Sequence, residues 1–255
     1  MTTLDNARNA LRDRLGGGAR YDDPAAPARE LAWARTGTAY FARKLNELSD
    51  AELLAPTLAD GKTRRRVVAE VCYQARALAQ YIEWARMGID HPTSDPFSSM
   101  SNDVALAVTL QAGALRNLFQ HSEVHLNVEW RDLDAEGWNA VLHLRGGTKM
   151  SARQTAWIRA KSIWLRAVDL GNGGSFDDFP ADLIDAMLLD AAANWDGEES
   201  YQVRPSDRNL TIRVGKSSAV SPVVGTAANL ARWLTGRGVR NLISENLSVR
   251  PLAAN

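Results

Sequence analysis

Few side chains in this sequence are equipped for chemistry, and they are scattered. His121 and His125 stand four residues apart with Glu123 between them, a spacing that puts both imidazoles on one helix face, where they could hold a metal ion. The order is not His-Glu-x-x-His and no third ligand is evident, so capping or packing is the simpler role. His91 precedes Pro92 in a loop-like stretch and His143 lies in a short apolar alternation; both fit exposed, inert positions. Lys62, Arg64, Arg65 and Arg66 crowd the start of a helical pattern, the end that disfavours cations. An anionic partner or nearby carboxylates would compensate them, and a solvated face is the plainer reading. Gly171 to Gly174 is glycine-rich but neither follows a strand nor opens a helix, so it reads as a linker and not a phosphate loop.

These residues belong to a chain of 255, long enough for one large domain or two ordinary ones. Apolar residues make up 45% and charged ones 24%, the balance of a globular protein with a sizeable core. Lysine plus arginine equals aspartate plus glutamate, thirty each, so no charge excess points to nucleic acid or an anionic membrane. The eight tryptophans mostly stand at helical spacing beside alanine and leucine and read as core. Cys72 is the only cysteine, which excludes an internal disulfide and suits a reducing cytoplasm. No signal-peptide core and no long apolar run is present, so a cytoplasmic protein is expected.

The elements that must position the chemistry are mainly helical. A short amphipathic segment, Leu4 to Leu15, is broken by Gly16-Gly17-Gly18 and by Pro24 and Pro27. Four long helical patterns follow, over Arg29–Leu48, Thr63–Met87, Asn102–Trp130 and Ser151–Leu170. Gly88 and Gly171 close the second and fourth, and Ser151 is the expected N-cap of the fourth. Four such helices with alanine-rich faces predict a four-helix bundle. Val141 to Arg145 alternates before Gly146-Gly147, as a strand pair or an extended loop. After Gly171 the texture changes. Pro180–Asn194 reads as a helix, Tyr201–Arg204 and Leu210–Val214 as strands around Pro205-Ser206-Asp207, and Val224–Leu234 as a helix stopped by Gly236. The expected organisation is an N-terminal extension (1–27), a bundle (28–173) and a small α/β domain (174–255).

Particular blocks carry a resemblance. Asp60-Gly61-Lys62-Thr63-Arg64 with Val67 to Ala75, Ala114 to Leu118 with His121-Ser122, Trp157 to Gly171 ending Ala-Val-Asp-Leu-Gly, and Leu234-Thr235-Gly236-Arg237-Gly238 occur in this order. Together they resemble the mycothiol-dependent maleylpyruvate isomerase family, over roughly Leu31 to Val239. The resemblance implies a DinB-like four-helix bundle followed by a small α/β domain.

It also implies where a site should be. The family holds a divalent metal, typically zinc, through a histidine on the second helix and an E-x-x-x-H pair on the fourth. The matching positions are Glu70, Ser162 and Arg166. Only the carboxylate is a good ligand, because a serine hydroxyl binds zinc poorly and a guanidinium keeps its protons. The expectation is therefore no metal, with an Arg166–Glu70 pair and the Ser162 hydroxyl in its place, either as a functional site or as a structural ion pair. Cys72, two residues after Glu70, is turned roughly 200° round the helix from it and is expected to be a buried structural residue. Arg237 matches an arginine that the resemblance puts at the active-site mouth, where it could clamp a substrate carboxylate. A plain helix-terminal cation is its alternative.

The resemblance implies thiol-assisted cis–trans isomerisation of a small unsaturated oxo-acid, with Arg166, Glu70 and Arg237 as catalytic residues and Ser162 and Arg237 binding substrate. Mycothiol or another low-molecular-weight thiol is the expected cosubstrate. A thiol-dependent transferase and a non-catalytic ligand-binding protein on the same scaffold are the alternatives. The expected partner is a small anionic substrate, with neither nucleic acid nor membrane, and the chain is expected as a monomer or small homo-oligomer.

Overall fold

A computed structural model of the chain describes residues 22–58, 61–143, 147 and 149–244. The expected Leu4–Leu15 segment, the Gly16–Gly18 break and residues 144–146 of the apolar alternation lie outside them. The chain is mainly helical. Helix α1 (Ala28–Asn46) has Glu30 in its first turn and Arg43 and Lys44 in its last, each opposite in sign to the helix end it sits on. Helix α2 (Arg64–Arg86) runs without glycine or proline. It ends where Gly88 takes φ +68°, Gly88 N donates to Ala85 O and Ile89 N donates to Trp84 O, the paired bonds of a Schellman cap.

The third helical pattern is two helices, not one. Helix α3 (Pro96–Ala107) starts on the Asp95 cap, whose carboxylate accepts from Phe97 N. It stops as Thr109 N and Leu110 N fold back onto Leu106 O and Ala107 O. Gln111 is extended (φ −63°, ψ 151°), and α4 (Ala112–Asp132) begins after it. The break carries neither glycine nor proline, so the apolar period runs across it unmarked. A short helix, α5 (Ala135–Asn139), then leads into β1 (Val141–His143), which pairs antiparallel with β2 (Lys149–Ser151). The described part of the apolar alternation, Val141–His143, is thus one strand of a pair. Helix α6 (Ala152–Asp169) opens on a reciprocal cap. Ser151 N donates to Gln154 Oε1 at 2.7 Å, and Gln154 N donates to Ser151 Oγ at 3.3 Å.

By compactness the chain forms two units, 1–38 with 65–160 and 39–64 with 161–255. In the first, buried and half-buried side chains tie the bundle helices together. Trp33 of α1 meets Trp157 of α6 edge to face, and Trp130 Nε1 of α4 donates to Thr155 Oγ1 of α6 at 3.1 Å. In the second, a three-stranded sheet has the order β4-β3-β5, formed by β3 (Ser200–Pro205), β4 (Ile212–Val214) and β5 (Val220–Gly225). β3 is antiparallel to β4 and parallel to β5, and α7 (Ala181–Ala193) and α8 (Ala227–Leu234) accompany the sheet. The expected helix from Val224 is corrected here. Val223 and Val224 complete a strand, as β-branched residues favour, and Thr226 caps the helix that follows through Asn229 N. Among the described residues no helix is long and apolar enough to cross a membrane.

Candidate functional site

Helix α6 is buried along nearly its whole length, yet it carries Thr155, Arg159, Ser162, Arg166 and Asp169, each at most 7% exposed. Their spacing of three or four residues makes one polar stripe on an otherwise alanine-, isoleucine- and tryptophan-rich helix. Polar groups in such a place need partners, and the stripe has them in each unit.

In the second unit, the centre is Asp169, which is fully buried. Arg237 grips it with two bonds, Nε to Oδ1 at 2.9 Å and Nη2 to Oδ2 at 2.8 Å, and its Nη1 donates to Thr235 O at 2.7 Å. Arg166 reaches the same carboxylate, Nη1 to Oδ2 at 3.3 Å. Burial lowers the pKa of Arg237, and the Asp169 charge works against that shift. Arg237 is therefore a bidentate clamp, and the carboxylate it holds is the protein's own Asp169. Ser162 is buried one turn before Arg166 on α6.

In the first unit, Arg159 is the centre. Its guanidinium donates to Val71 O at 2.9 Å and Gln74 Oε1 at 3.0 Å, and it pairs with Glu123, which also accepts from Thr38 Oγ1 at 3.2 Å. One buried cation thereby joins α2, α4 and α6, with α1 attached through Thr38. Burial pushes the Arg159 pKa down to about 9, still above neutrality. Cys72 lies beside this group, fully buried, with Ser122 as its hydrogen-bond partner, and burial pushes its thiol up to about 12. It is not an activated nucleophile. Glu70, one turn before Gln74, accepts from Arg66 Nε at 3.2 Å.

Of the residues singled out in the sequence, Arg166 and Arg237 come together on one carboxylate, while Glu70 is seen with Arg66. Asp169, Arg159 and Gln74 were not singled out, and Glu123 was noted only for its place between His121 and His125. The available signal was the polar period on α6, which extends from Ser162 and Arg166 to Arg159 and Asp169. The basic cluster has a local explanation: Arg64 donates to Leu170 O at 2.7 Å and Gly171 O at 3.1 Å, capping the negative end of α6. His121 and His125 are exposed, with His125 Nε2 3.6 Å from a Glu129 oxygen, and the rings of His91 and His143 lie 4.8 Å apart.

The donor set of Glu70, Ser162 and Arg166, the positions that the resemblance implies for a metal, does not fit a divalent ion. It consists of one carboxylate, one hydroxyl and a guanidinium bonded to Asp169. Among the described residues no group of three or more histidine, cysteine, aspartate or glutamate side chains is arranged to hold one.

The sequence pattern of the mycothiol maleylpyruvate isomerase N-terminal domain matches residues 34–171. Two solved structures are similar over most of the chain: the mycothiol-dependent maleylpyruvate isomerase (TM-score 0.81) and a histidine-to-alanine mutant of it (TM-score 0.82). Each is 27% identical and covers 89% of this chain and 96% of its own. No curated protein sequence matches significantly. The fold is thus the DinB-like bundle with a small α/β domain, and the chain belongs to the mycothiol maleylpyruvate isomerase family.

Proposed function

We propose that this protein is a cytoplasmic, thiol-assisted cis–trans isomerase of a small unsaturated oxo-acid, and that it works without a divalent metal. The observation that carries the reading is the Arg166–Asp169–Arg237 cluster, which puts a guanidinium, held in orientation by a buried carboxylate, on the helix where the sequence resemblance implies metal ligands.

The chemistry is balanced without any redox step. A thiolate adds to one alkene carbon, forming a C–S bond, while the π electrons move to the conjugated oxo group as an enolate. The former double bond rotates. The enolate then collapses, re-forms the double bond in the trans arrangement and expels the same thiolate. Each stage carries negative charge, and a preorganised guanidinium stabilises such charge without reorganising. Arg166 takes that part. Arg237 acts through Asp169, holding the carboxylate that orients Arg166. Ser162 donates to the substrate, and Glu70 is the counter-charge or proton acceptor on α2. Mycothiol or a similar small thiol supplies the sulfur, and the substrate is a small anion.

The test is loss of maleylpyruvate absorbance by the purified chain, with and without mycothiol, alongside elemental analysis. Turnover that needs thiol and proceeds with less than stoichiometric metal is expected. Turnover that requires one zinc per chain overturns the metal-free part, and no turnover with any thiol overturns the isomerase reading in favour of another activity or a binding role.

A further inference from the structure

A concave site lies wholly in the first unit, between one face of α2 and the segment from Ser94 to Asp103 that includes the start of α3. Its volume is about 520 Å³, within the ~300–1,000 Å³ of small-molecule sites. The wall from α2 presents Tyr73, Arg76, Gln80 and Trp84, which fall on one helical face, while Asp103 closes it from α3 and His125 from α4.

Two features of this lining define what fits. First, Tyr73 and Trp84 are half-buried aromatic surfaces, and neither stacks face to face on another ring among the described residues. Trp84 meets Tyr81 at 74°, and Tyr73 carries only the Arg76 guanidinium at 5.6 Å. Secondly, several polar groups facing the groove are left with hydrogen-bonding capacity. The Gln80 amide nitrogen donates to Glu83 at 2.7 Å, which leaves its carbonyl oxygen to accept, and neither the Arg76 guanidinium nor the Asp103 carboxylate has a hydrogen-bond partner among the described residues. Gln80 and Asp103 are half-buried and gain from a ligand that satisfies them, while Arg76 is exposed at the rim, where its guanidinium can still donate to a bound ligand. The lining carries both signs of charge, so an anion meets Asp103 and a cation meets Arg76. A purely apolar ligand would leave all of them unpaired.

We propose that this groove binds an uncharged polyhydroxylated ligand, a sugar or glycoside. Such a ligand lays its C–H face on Tyr73 and Trp84. Its hydroxyls, each both donor and acceptor, serve Arg76, Gln80 and Asp103 together. The inference does not depend on the isomerase reading, because none of the residues assigned to that reaction lines the groove.

The experiment is saturation-transfer NMR on the full chain with the methyl glycosides of glucose, galactose and mannose, with maltotriose, and with benzoate and methylphosphonate as charged probes. Saturation of the ring protons of at least one glycoside is expected, and Trp84→Ala and Asp103→Asn should each weaken its Kd at least tenfold, with Trp84→Phe retaining most of it. Maltotriose binding more tightly than the monosaccharide would identify a glycan end as the source; equal binding would identify a free sugar. If Trp84→Ala fails to fold, Asp103→Asn, a conservative change at the groove wall, carries the test alone. No saturation of any glycoside, binding that both variants retain, or binding of benzoate or methylphosphonate instead, overturns the proposal.

Discussion

Arg237 and Asp169 form a fork-to-fork ion pair in which neither side chain is more than 1% exposed, 68 residues apart in sequence. Such a pair is costly to break from one side, because the partner stays behind as an uncompensated buried charge. Asp169→Asn should therefore lose about 3–5 kcal/mol of stability. The double replacement Asp169→Leu with Arg237→Met should lose less than the sum of Asp169→Leu and Arg237→Met alone, since it removes both charges of the pair together. Arg166 loses its bond to Asp169 in either case where that carboxylate goes. Urea unfolding of the three variants checks this. A double variant as unstable as the sum of the singles would mean that the pair is not an isolated unit.

Arg159 should behave as a hub. Arg159→Met removes the donor shared by Val71 O, Gln74 and Glu123, and leaves Glu123 with Thr38 as its hydrogen-bond donor in that network. A loss on the order of 3 kcal/mol is expected, with Glu123→Gln costing less because that side chain is partly exposed. The two changes should be strongly non-additive, with a coupling of about 1–3 kcal/mol measured by a double-mutant cycle in urea. Additive effects would show that the contact carries no energy.

The bundle was legible because its evidence is periodic: apolar residues recur at helical spacing, and Gly88 and Gly171 stand where α2 and α6 stop. The α3–α4 break was not, because Val108 to Gln111 contains no breaker and the chain turns through backbone bonds that any residue can make. The strand over Val220–Gly225 was hidden for a related reason, since Val224 adjoins a true helix whose period it extends. Arg166 and Arg237 were singled out by their positions relative to the family, and both bond to Asp169. Asp169 was missed, although it continues the polar period of α6 three residues after Arg166, because its partner Arg237 lies 68 residues away and nothing near Asp169 in the sequence points to it. Arg159 was missed because an arginine in a helix is usually solvated, and only burial reveals that this one is not.

Cys72 sets a pH dependence whose sign can be worked out. The folded chain keeps the thiol proton up to about 12, whereas the unfolded chain releases it near 9. Below 9 both states hold the proton, so the contribution is complete. Above 9 the unfolded state binds fewer protons and stability falls, levelling off only past 12. Between pH 9 and 11 the natural chain should lose on the order of 1 kcal/mol per pH unit relative to Cys72→Ala. Tyr40, held up to about 12 by burial and by its bond to Asp178, is present in both proteins and cancels. Parallel stability curves would rule the assignment out. At pH 8 a thiol reagent should label Cys72 only at the rate of opening.

The relation between Glu70 and Arg166 is the remaining one to measure, because the proposed reaction uses both. Glu70→Gln should keep the shape of the side chain and remove its charge, while Arg166→Lys keeps a charge and loses the planar fork that faces Asp169. If the two act as one unit, each should lower kcat/KM by at least tenfold and the double variant by little more than the worse single, as groups that share one task behave. The pH profile separates a positioning role from a structural one. Loss of a base at Glu70 should remove the acid limb of kcat/KM, whereas simple destabilisation would lower the whole profile and leave its shape unchanged. Multiplicative losses in the double variant, with the acid limb intact, would show that Glu70 lies outside the reaction and that Arg166 is oriented by Asp169 without it.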